Sequence, residues 1–165
     1  MPDLSKIISG GQTGVDQAAL GAARDCGLEI GGWCPPGPMC EDGVIPPEFP
    51  LKETPQERSP DAPDVPRSQR TEWNVRDSDG VLVITGRVGP DANADPGTRW
   101  AMKCAKQSGK PLLICDVDDA DALEKIRAWL TQFRIETVSV GGPSEGTSPG
   151  IGDRAHALLR RVFGL

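Results

Sequence analysis

Two short runs of this sequence are apolar at every position, and they limit the folds that the chain can adopt. Residues 81–84 (Val-Leu-Val-Ile) and 112–114 (Leu-Leu-Ile) carry no polar side chain. A strand of this kind is typical of a parallel sheet that helices cover on both faces. Segments with helical spacing, such as the one with Val15, Ala18 and Ala22, alternate along the chain with short strand-like runs. The alternation predicts an α/β fold: a Rossmann-like, doubly wound, mostly parallel sheet of about five strands with helices on both faces.

The chain has 165 residues, which is enough to bury one core without metals or disulfides. We therefore expect a single Rossmann-like ligand-binding domain over residues 1–165. The predicted strands lie at 6–9, 28–30, 81–85, 111–115 and 136–140. The predicted helices lie at 15–26, 68–78, 98–108, 119–133 and 152–163.

A long proline-rich segment, residues 31–66, interrupts this pattern and holds most of the chain's 16 prolines. Structureless segments of this length are uncommon in compact domains and are usually either functional or disordered. Several apolar residues in it are spaced as if they pack onto another surface: Trp33, Val44, Ile45, Phe49 and Leu51. We expect an ordered functional loop, with disorder as the alternative.

Charge and hydropathy exclude two classes of partner. The net charge is −6, and Arg160-Arg161 is the longest basic cluster, so a nucleic-acid partner is not expected. A small anion remains possible, because oriented backbone N–H groups bind phosphate whatever the net charge. The sequence has no apolar stretch of about 18 residues and no secretory leader, which predicts a cytoplasmic protein without a membrane span.

The cysteines and the histidine do not form a recognisable catalytic or metal-binding pattern. The five cysteines are scattered without a C-x-x-C pair. Cys26, Cys104 and Cys115 lie in helix or strand patterns and are expected to be buried, whereas Cys34 and Cys40 lie on the proline-rich segment, where exposure is open. His156 is remote in sequence from the candidate ligand-binding turns described next, so we expect a structural histidine.

Three glycine-rich turns follow predicted strands, and the fold places all three at the same edge of the sheet. Glycines let the backbone approach a ligand closely, and the helix after each turn offers free N–H groups to an anion. A plain strand-to-helix turn is the alternative for each. We expect a small phosphate-bearing ligand to bind at these turns, at Gly10, Gly11, Gln12 and Thr13, at Gly97 and Thr98, and at Gly141 and Gly142.

The predicted helix over 68–78 carries the densest group of polar residues. Arg70, Asn74 and Asp77 fall on one helical face at i, i+4 and i+7, while Trp73 is expected to pack inward. We expect Arg70 to bind a phosphate or oxyanion and Asn74 to bind the edge of a base or pterin. A solvated polar face is the alternative.

These motifs resemble the molybdenum cofactor carrier protein family over nearly the whole chain. The resemblance rests on residues 7–16 (IISGGQTGVD), 31–35 (GGWCP), 41–43 (EDG), 70–80 (RTEWNVRDSDG) and 149–151 (PGI). It implies a Rossmann-like fold akin to the lysine-decarboxylase-like and cytokinin-activating phosphoribohydrolase proteins, and a homodimer or homotetramer.

The resemblance also implies a protein that binds molybdenum cofactor and shields it from oxidation. The first turn and Gly97-Thr98 would then hold the cofactor's phosphate or molybdate end. Molybdate alone is a further possible ligand. Molybdoenzymes or cofactor-biosynthesis proteins would be the transfer partners.

The chain departs from the wider pattern in two places. Asp95-Pro96-Gly97-Thr98 is shortened, and the glutamate that a phosphoribohydrolase uses on the ribose is missing after it. Arg67 stands where the family tends to carry an aromatic residue. A non-catalytic carrier is therefore the expected function. The alternatives are a nucleotide-binding sensor and a nucleoside-monophosphate phosphoribohydrolase-like enzyme that would use Arg70 with Glu72 or Asp77.

Overall fold

A five-stranded sheet forms the centre of the computed structural model, which describes residues 3–86 and 95–164. All of its strand pairs are parallel, and the spatial order is β2-β1-β9-β7-β8. The strands span Lys6–Ile8 (β1), Glu29–Gly31 (β2), Gly80–Thr85 (β7), Leu112–Asp116 (β8) and Thr137–Gly141 (β9). The predicted parallel sheet of about five strands is confirmed.

Helices cover both faces of this sheet. They span Val15–Asp25 (α1), Ser68–Arg76 (α2), Pro96–Gln107 (α3), Ala122–Gln132 (α4) and Ile151–Phe163 (α5). The largest apolar cluster joins one sheet face to α1, α4 and α5, and a second cluster joins the other face to α2 and α3. Within residues 3–86 and 95–164, no helix combines the length and the apolar character that crossing a membrane requires.

Strand β7 shows why a continuously apolar run predicts this architecture. Leu82 and Ile84 belong to the cluster with α1, α4 and α5, whereas Val81 and Val83 belong to the cluster with α2 and α3. Each of the four side chains is at most 1% exposed. Since successive side chains of a strand point to opposite faces, only a strand covered on both sides needs apolar residues throughout.

The order in which successive strands are added to the sheet reverses between β1 and β7. From β1 the chain passes through α1 to β2 at one edge, whereas from β7 it passes through α3 to β8 at the other edge. Such a reversal leaves a crevice outside the carboxyl ends of the strands, where ligands bind in open α/β sheets. Here β9 lies between β1 and β7, so the turn after β9 also borders the crevice.

The proline-rich segment is ordered by short strand pairs and by packing on α1. It contains β3 (Trp33–Cys34), β4 (Met39–Cys40), β5 (Gly43–Val44) and β6 (Lys52–Glu53), which pair as β3–β6 and β4–β5. Its buried side chains form a third cluster with Leu20 of α1: Cys34, Cys40, Ile45 and Phe49. Val44 was expected to pack as well, but its side chain is 67% exposed.

Three helix boundaries differ from the sequence predictions by two residues or more. Helix α3 begins at Pro96, two residues early, because proline at the first helical position is compatible with the helix and Asp95 caps it. Helix α2 ends at Arg76 instead of residue 78. Helix α4 begins at Ala122 instead of residue 119, since the preceding aspartates form turns.

A lysine anchors the carboxyl end of α2, the helix that carries Arg70. The Nζ of Lys110 donates hydrogen bonds of 2.5 to 2.7 Å to the carbonyls of Val75, Arg76 and Ser78. The Val75 carbonyl also accepts from the N–H and the hydroxyl of Ser78, at 3.2 and 2.9 Å. A positive charge at this end also suits the negative end of the helix dipole. Lys110 thereby ties α2 to the start of β8.

We expect Lys110→Met to lower the free energy of unfolding by about 2 kcal/mol, because it removes charge-assisted hydrogen bonds to three carbonyls. Urea unfolding of the full chain measures this loss. The matched control is Lys106→Met, since Lys106 is an exposed lysine of the neighbouring helix. Equal stability of the two variants would contradict the anchoring role.

Candidate functional site

One cleft at the carboxyl edge of the sheet collects residues from all three glycine-rich turns and from α2. Six of the ten predicted site residues line it: Gln12, Arg70, Gly97, Thr98, Gly141 and Gly142. The described residues enclose about 80 Å³ there. The turns therefore converge on one place, as the parallel topology predicts.

Arg70 brings a largely buried positive charge to the cleft, and its position depends on Gly10. The Arg70 side chain is 14% exposed, and its Nη1 lies 3.6 Å from Oδ2 of Asp16. A Cβ atom at position 10 would lie 2.3 Å from that same Nη1, so only glycine lets the guanidinium approach the turn. Gly10 thus serves the site by making room for Arg70. The Nε of Arg70 is buried and has no hydrogen-bond partner among the described residues.

Asp16 is the buried counter-charge of Arg70. It is 3% exposed and accepts a hydrogen bond of 3.2 Å from the backbone N–H of Gln12. Burial raises the pKa of Asp16 above its ordinary value, and the positive charge of Arg70 opposes this effect. Sequence analysis missed Asp16 as a site residue, because an acidic residue in the first turn of a helix is explained by the helix dipole alone.

The amide of Gln12 has a fixed orientation. Its Oε1 accepts hydrogen bonds from the backbone N–H groups of Thr13, at 3.0 Å, and of Glu41, at 2.8 Å. Two N–H donors show which atom of the amide is the oxygen. The Nε2 group of Gln12, which lines the cleft, therefore keeps its N–H donors for other partners. Gln12 can therefore donate to an acceptor on a ligand.

Thr13 and Gly11, by contrast, serve the framework and do not line the cleft. The Thr13 hydroxyl donates to Oε1 of Glu41 at 2.5 Å and accepts from the backbone N–H of Glu145 at 3.2 Å. Gly11 has a φ of +83°, and a Cβ there would lie 2.6 Å from Cδ1 of Leu51. Both residues fix the proline-rich segment against the first turn.

Asn74 also has a structural task in place of the expected contact with a ligand. Its Oδ1 accepts from the backbone N–H of Trp33 at 2.8 Å, and its Nδ2 donates to the carbonyl of Trp33 at 3.0 Å. Asp77 accepts from the Trp33 indole at 2.7 Å. Trp73 is half-buried, contrary to the expected inward packing, and meets Trp33 edge-on at 4.8 Å. The polar face of α2 is therefore divided between the cleft, at Arg70, and the start of the proline-rich segment.

The second turn is capped by its own aspartate. Oδ1 of Asp95 accepts from the backbone N–H of Gly97 at 3.0 Å, and its Oδ2 accepts from the Thr98 hydroxyl at 3.1 Å. Thr98 is 6% exposed. Both donors predicted for a phosphate are thus already occupied, and a ligand reaches them only if Asp95 turns aside.

The third turn brings Gly141 and Gly142 to the cleft. A Cβ at position 142 would lie 2.2 Å from the carbonyl oxygen of Ile84, so this glycine is required where the turn crosses β7. The turn also supplies Ser144 and Thr147, which line the cleft and bond to each other at 3.2 Å. Neither hydroxyl was predicted as a site residue, since hydroxyls are common in turns.

The cysteines and the histidine lie outside the cleft. Cys34, Cys40, Cys104 and Cys115 are buried, and Cys26 is half-buried. Burial raises the pKa of Cys104 to about 12, which leaves an inert thiol. In the described parts of the chain, no three His, Cys, Asp or Glu residues group closely enough to hold a metal ion. His156 lies 3.2 Å from Asp25, on the α5–α1 side.

Fold and cleft together define a Rossmann-like α/β protein with a polar crevice at the carboxyl edge of its sheet. The chain belongs to the circularly permutated YpsA SLOG family (cpYpsA), whose sequence model matches residues 7–163. It is also similar to the crystal structure of a "putative molybdenum carrier protein" from Syntrophus aciditrophicus SB. That similarity has a TM-score of 0.84 and 35% identity and covers 97% of this chain and 95% of the other. A comparison with curated proteins finds no match. The family resemblance inferred from the sequence is confirmed.

The raised pKa of Asp16 has a measurable consequence for stability. The folded chain keeps a proton on Asp16 at pH values where the unfolded chain, with an ordinary pKa of 3.8, has released it. Stability from this proton is fully present below the unfolded pKa and is lost as the pH rises through the higher folded pKa. We expect Asp16→Asn, which cannot ionise, to lose less stability than the unaltered chain as the pH rises above about pH 4.

Urea unfolding at several pH values measures this difference. Asp153→Asn, which removes an exposed carboxylate from the first turn of α5, is the control for a loss of charge. Parallel stability curves for the Asp16→Asn variant and the unaltered chain would contradict the prediction.

Proposed function

We propose that the chain is a carrier that binds molybdenum cofactor and holds the cofactor's phosphate or molybdate end in the cleft. The observation that carries the proposal is Arg70: a buried guanidinium whose Nε has no partner among the described residues, placed where three glycine-rich turns converge. A buried donor without an acceptor is costly, and a bound oxyanion supplies the acceptor. The name of the similar molybdenum carrier protein supports this choice of ligand.

The size of the cleft is compatible with binding of one end of the cofactor. The described residues leave about 80 Å³ there, and on the same measure one water molecule needs about 10 to 15 Å³. The space therefore accommodates a group of several heavy atoms such as a tetrahedral oxyanion. The proposal places the pterin toward the mouth of the cleft.

The chemistry of the lining residues favours carriage over catalysis. Gly97 and Thr98 engage the carboxylate of Asp95, and Arg70 and the Gln12 N–H engage that of Asp16. Among the described residues, neither histidine nor cysteine lines the cleft to supply a nucleophile and base pair. The proposal includes a cytoplasmic homodimer or homotetramer that passes its cargo to molybdoenzymes or receives it from cofactor-biosynthesis proteins.

We expect purified protein to bind molybdenum cofactor saturably under anoxic conditions and more tightly than AMP or molybdate alone. Arg70→Gln should weaken this binding by about 10- to 100-fold, because a hydrogen bond to a charged group contributes about 1.5 to 3 kcal/mol. Thr98→Val should weaken it less, since the Thr98 hydroxyl already donates to Asp95. Equilibrium titration measures the affinity of the unaltered chain for each ligand and the affinity of each variant for the cofactor.

The matched control is Arg24→Gln, because Arg24 is an exposed arginine near the far end of α1. Thermal melting of each variant separates lost binding from lost folding. No binding of the cofactor at micromolar concentration by the unaltered chain would contradict the proposal.

A phosphoribohydrolase-like enzyme is the second candidate, and Asp16 is the observation that favours it. The sequence suggested Glu72 or Asp77 as polar groups that act with Arg70, but neither lines the cleft. Glu72 bonds to the Ser59 hydroxyl and Asp77 to the Trp33 indole. Asp16 does line the cleft, and burial raises its pKa toward the range of a general acid or base.

This second function predicts that AMP and water give free adenine and ribose 5-phosphate, and that Asp16→Asn abolishes the release. Chromatography of adenine over time measures the reaction. A flat time course excludes this hydrolysis. AMP binding without cleavage would instead favour a nucleotide-binding sensor.

A further inference from the structure

We infer that Arg67 makes the cleft selective for an oxyanion group with two negative charges over one of the same shape with a single charge. The inference rests on the proposed function in one respect only, namely that the cleft binds an oxyanion. It assigns to Arg67 a role in specificity that the glycine-rich turns and Arg70 do not supply.

The backbone of Arg67 is held in a conformation that favours glycine. Its φ is +56° and its ψ is 30°, at the residue immediately before α2. Its N–H donates to Oε1 of Glu57 at 2.8 Å, and its carbonyl accepts from the N–H and the hydroxyl of Thr71 at 3.4 and 3.3 Å. Contacts on both sides of the residue thus maintain a left-handed backbone that a bulky side chain disfavours. Strain of this kind clusters at ligand sites.

The side chain of Arg67 brings a second guanidinium to the cleft. It lines the cleft beside Arg70, and its Nε is buried without a hydrogen-bond partner. Within the described ranges, Arg67 makes no ion pair, whereas Arg70 is paired with Asp16. The pKa of Arg70 is lowered first by burial and also by the like charge of Arg67, which indicates that the two cations act on one another.

The attraction between two guanidinium groups and one bound oxyanion depends on the charge of the oxyanion. A guanidinium pairs with a tetrahedral oxyanion through two parallel N–H groups, so Arg67 and Arg70 can each engage a different pair of oxygens. The carboxylates of Asp16 and Asp95 also line the cleft and repel an anion, but Asp16 is paired with Arg70. Among the described residues Arg67 makes no ion pair, so its charge is not offset at close range as that of Arg70 is by Asp16. Its attraction to the ligand therefore grows with a second negative charge.

The test compares two tetrahedral oxyanions of nearly equal size at fixed pH and ionic strength: tungstate, a dianion, and perrhenate, a monoanion. We expect the unaltered chain to bind tungstate at least about tenfold more tightly than perrhenate in calorimetric titration. Arg67→Gln should bring this ratio close to one, chiefly by weakening tungstate binding. Arg67→Lys should keep part of the preference, because it keeps the charge but loses the planar fork.

A second variant separates the guanidinium from the backbone. Arg67→Gly suits the left-handed conformation, so it should melt at the same or a higher temperature while losing the preference for tungstate. Arg24→Gln, remote from the cleft, should keep both the preference and the melting temperature.

Each outcome has a defined meaning. If the ratio for the unaltered chain is near one, or if it persists in Arg67→Gln and Arg67→Gly, the inference about Arg67 is wrong and carriage of the cofactor is unaffected. If the ratio falls in both variants but molybdenum cofactor does not bind, the inference holds and the carrier proposal fails. If the unaltered chain binds neither anion, the inference about Arg67 is wrong, and the titration with molybdenum cofactor decides the carrier proposal separately.

Discussion

The buried ion pair between Arg70 and Asp16 is the contact on which the candidate site depends. Asp16 comes from α1 on one face of the sheet and Arg70 from α2 on the other, so the pair joins the two layers across the carboxyl edge. At 3.6 Å the pair is too long to be a direct hydrogen bond, and Nε of Arg70 is left without a partner. Burying two charges in this way stabilises the fold weakly at best, which favours a functional reason for keeping them there.

The fold could be predicted largely because a continuously apolar strand indicates a sheet that is covered on both faces. Val81 to Ile84 alternate between two apolar clusters, so an uninterrupted apolar run was enough to indicate a strand covered on both sides. Helix ends were less predictable, because they depend on individual side-chain hydrogen bonds such as those of Lys110 to the carbonyls at the end of α2. Those bonds join residues more than 30 positions apart, and no pattern in the sequence marks them.

The site was predictable only in part for the same reason. Glycine-rich turns after parallel strands identify the correct edge of the sheet from the sequence alone. What each polar side chain does there is decided by partners from the proline-rich segment: Glu41 occupies Thr13, and the backbone of Trp33 occupies Asn74. Asp16, in contrast, lines the cleft but was not predicted as a site residue, because the helix dipole alone explains an acidic residue in the first turn of α1. Arg67 stood out in the sequence only as a departure from the family.

Some hydrogen-bond donors near the cleft have partners within the fold and others do not, and this difference indicates which kind of ligand the cleft suits. The hydroxyls of Thr13 and Thr98 and the N–H of Gly97 are satisfied within the fold, so the framework stands without a ligand. The donors left over are the guanidinium groups of Arg67 and Arg70 and the amide of Gln12. The carboxylates of Asp16 and Asp95 also line the cleft, but they are engaged by Arg70 and by Gly97 and Thr98. The remaining donors, two of them charged, complement an oxyanion and offer little to a neutral group. Since no covalent step is needed to hold such a ligand, it would be recognised by its charge and released reversibly, as the proposed carrier function requires.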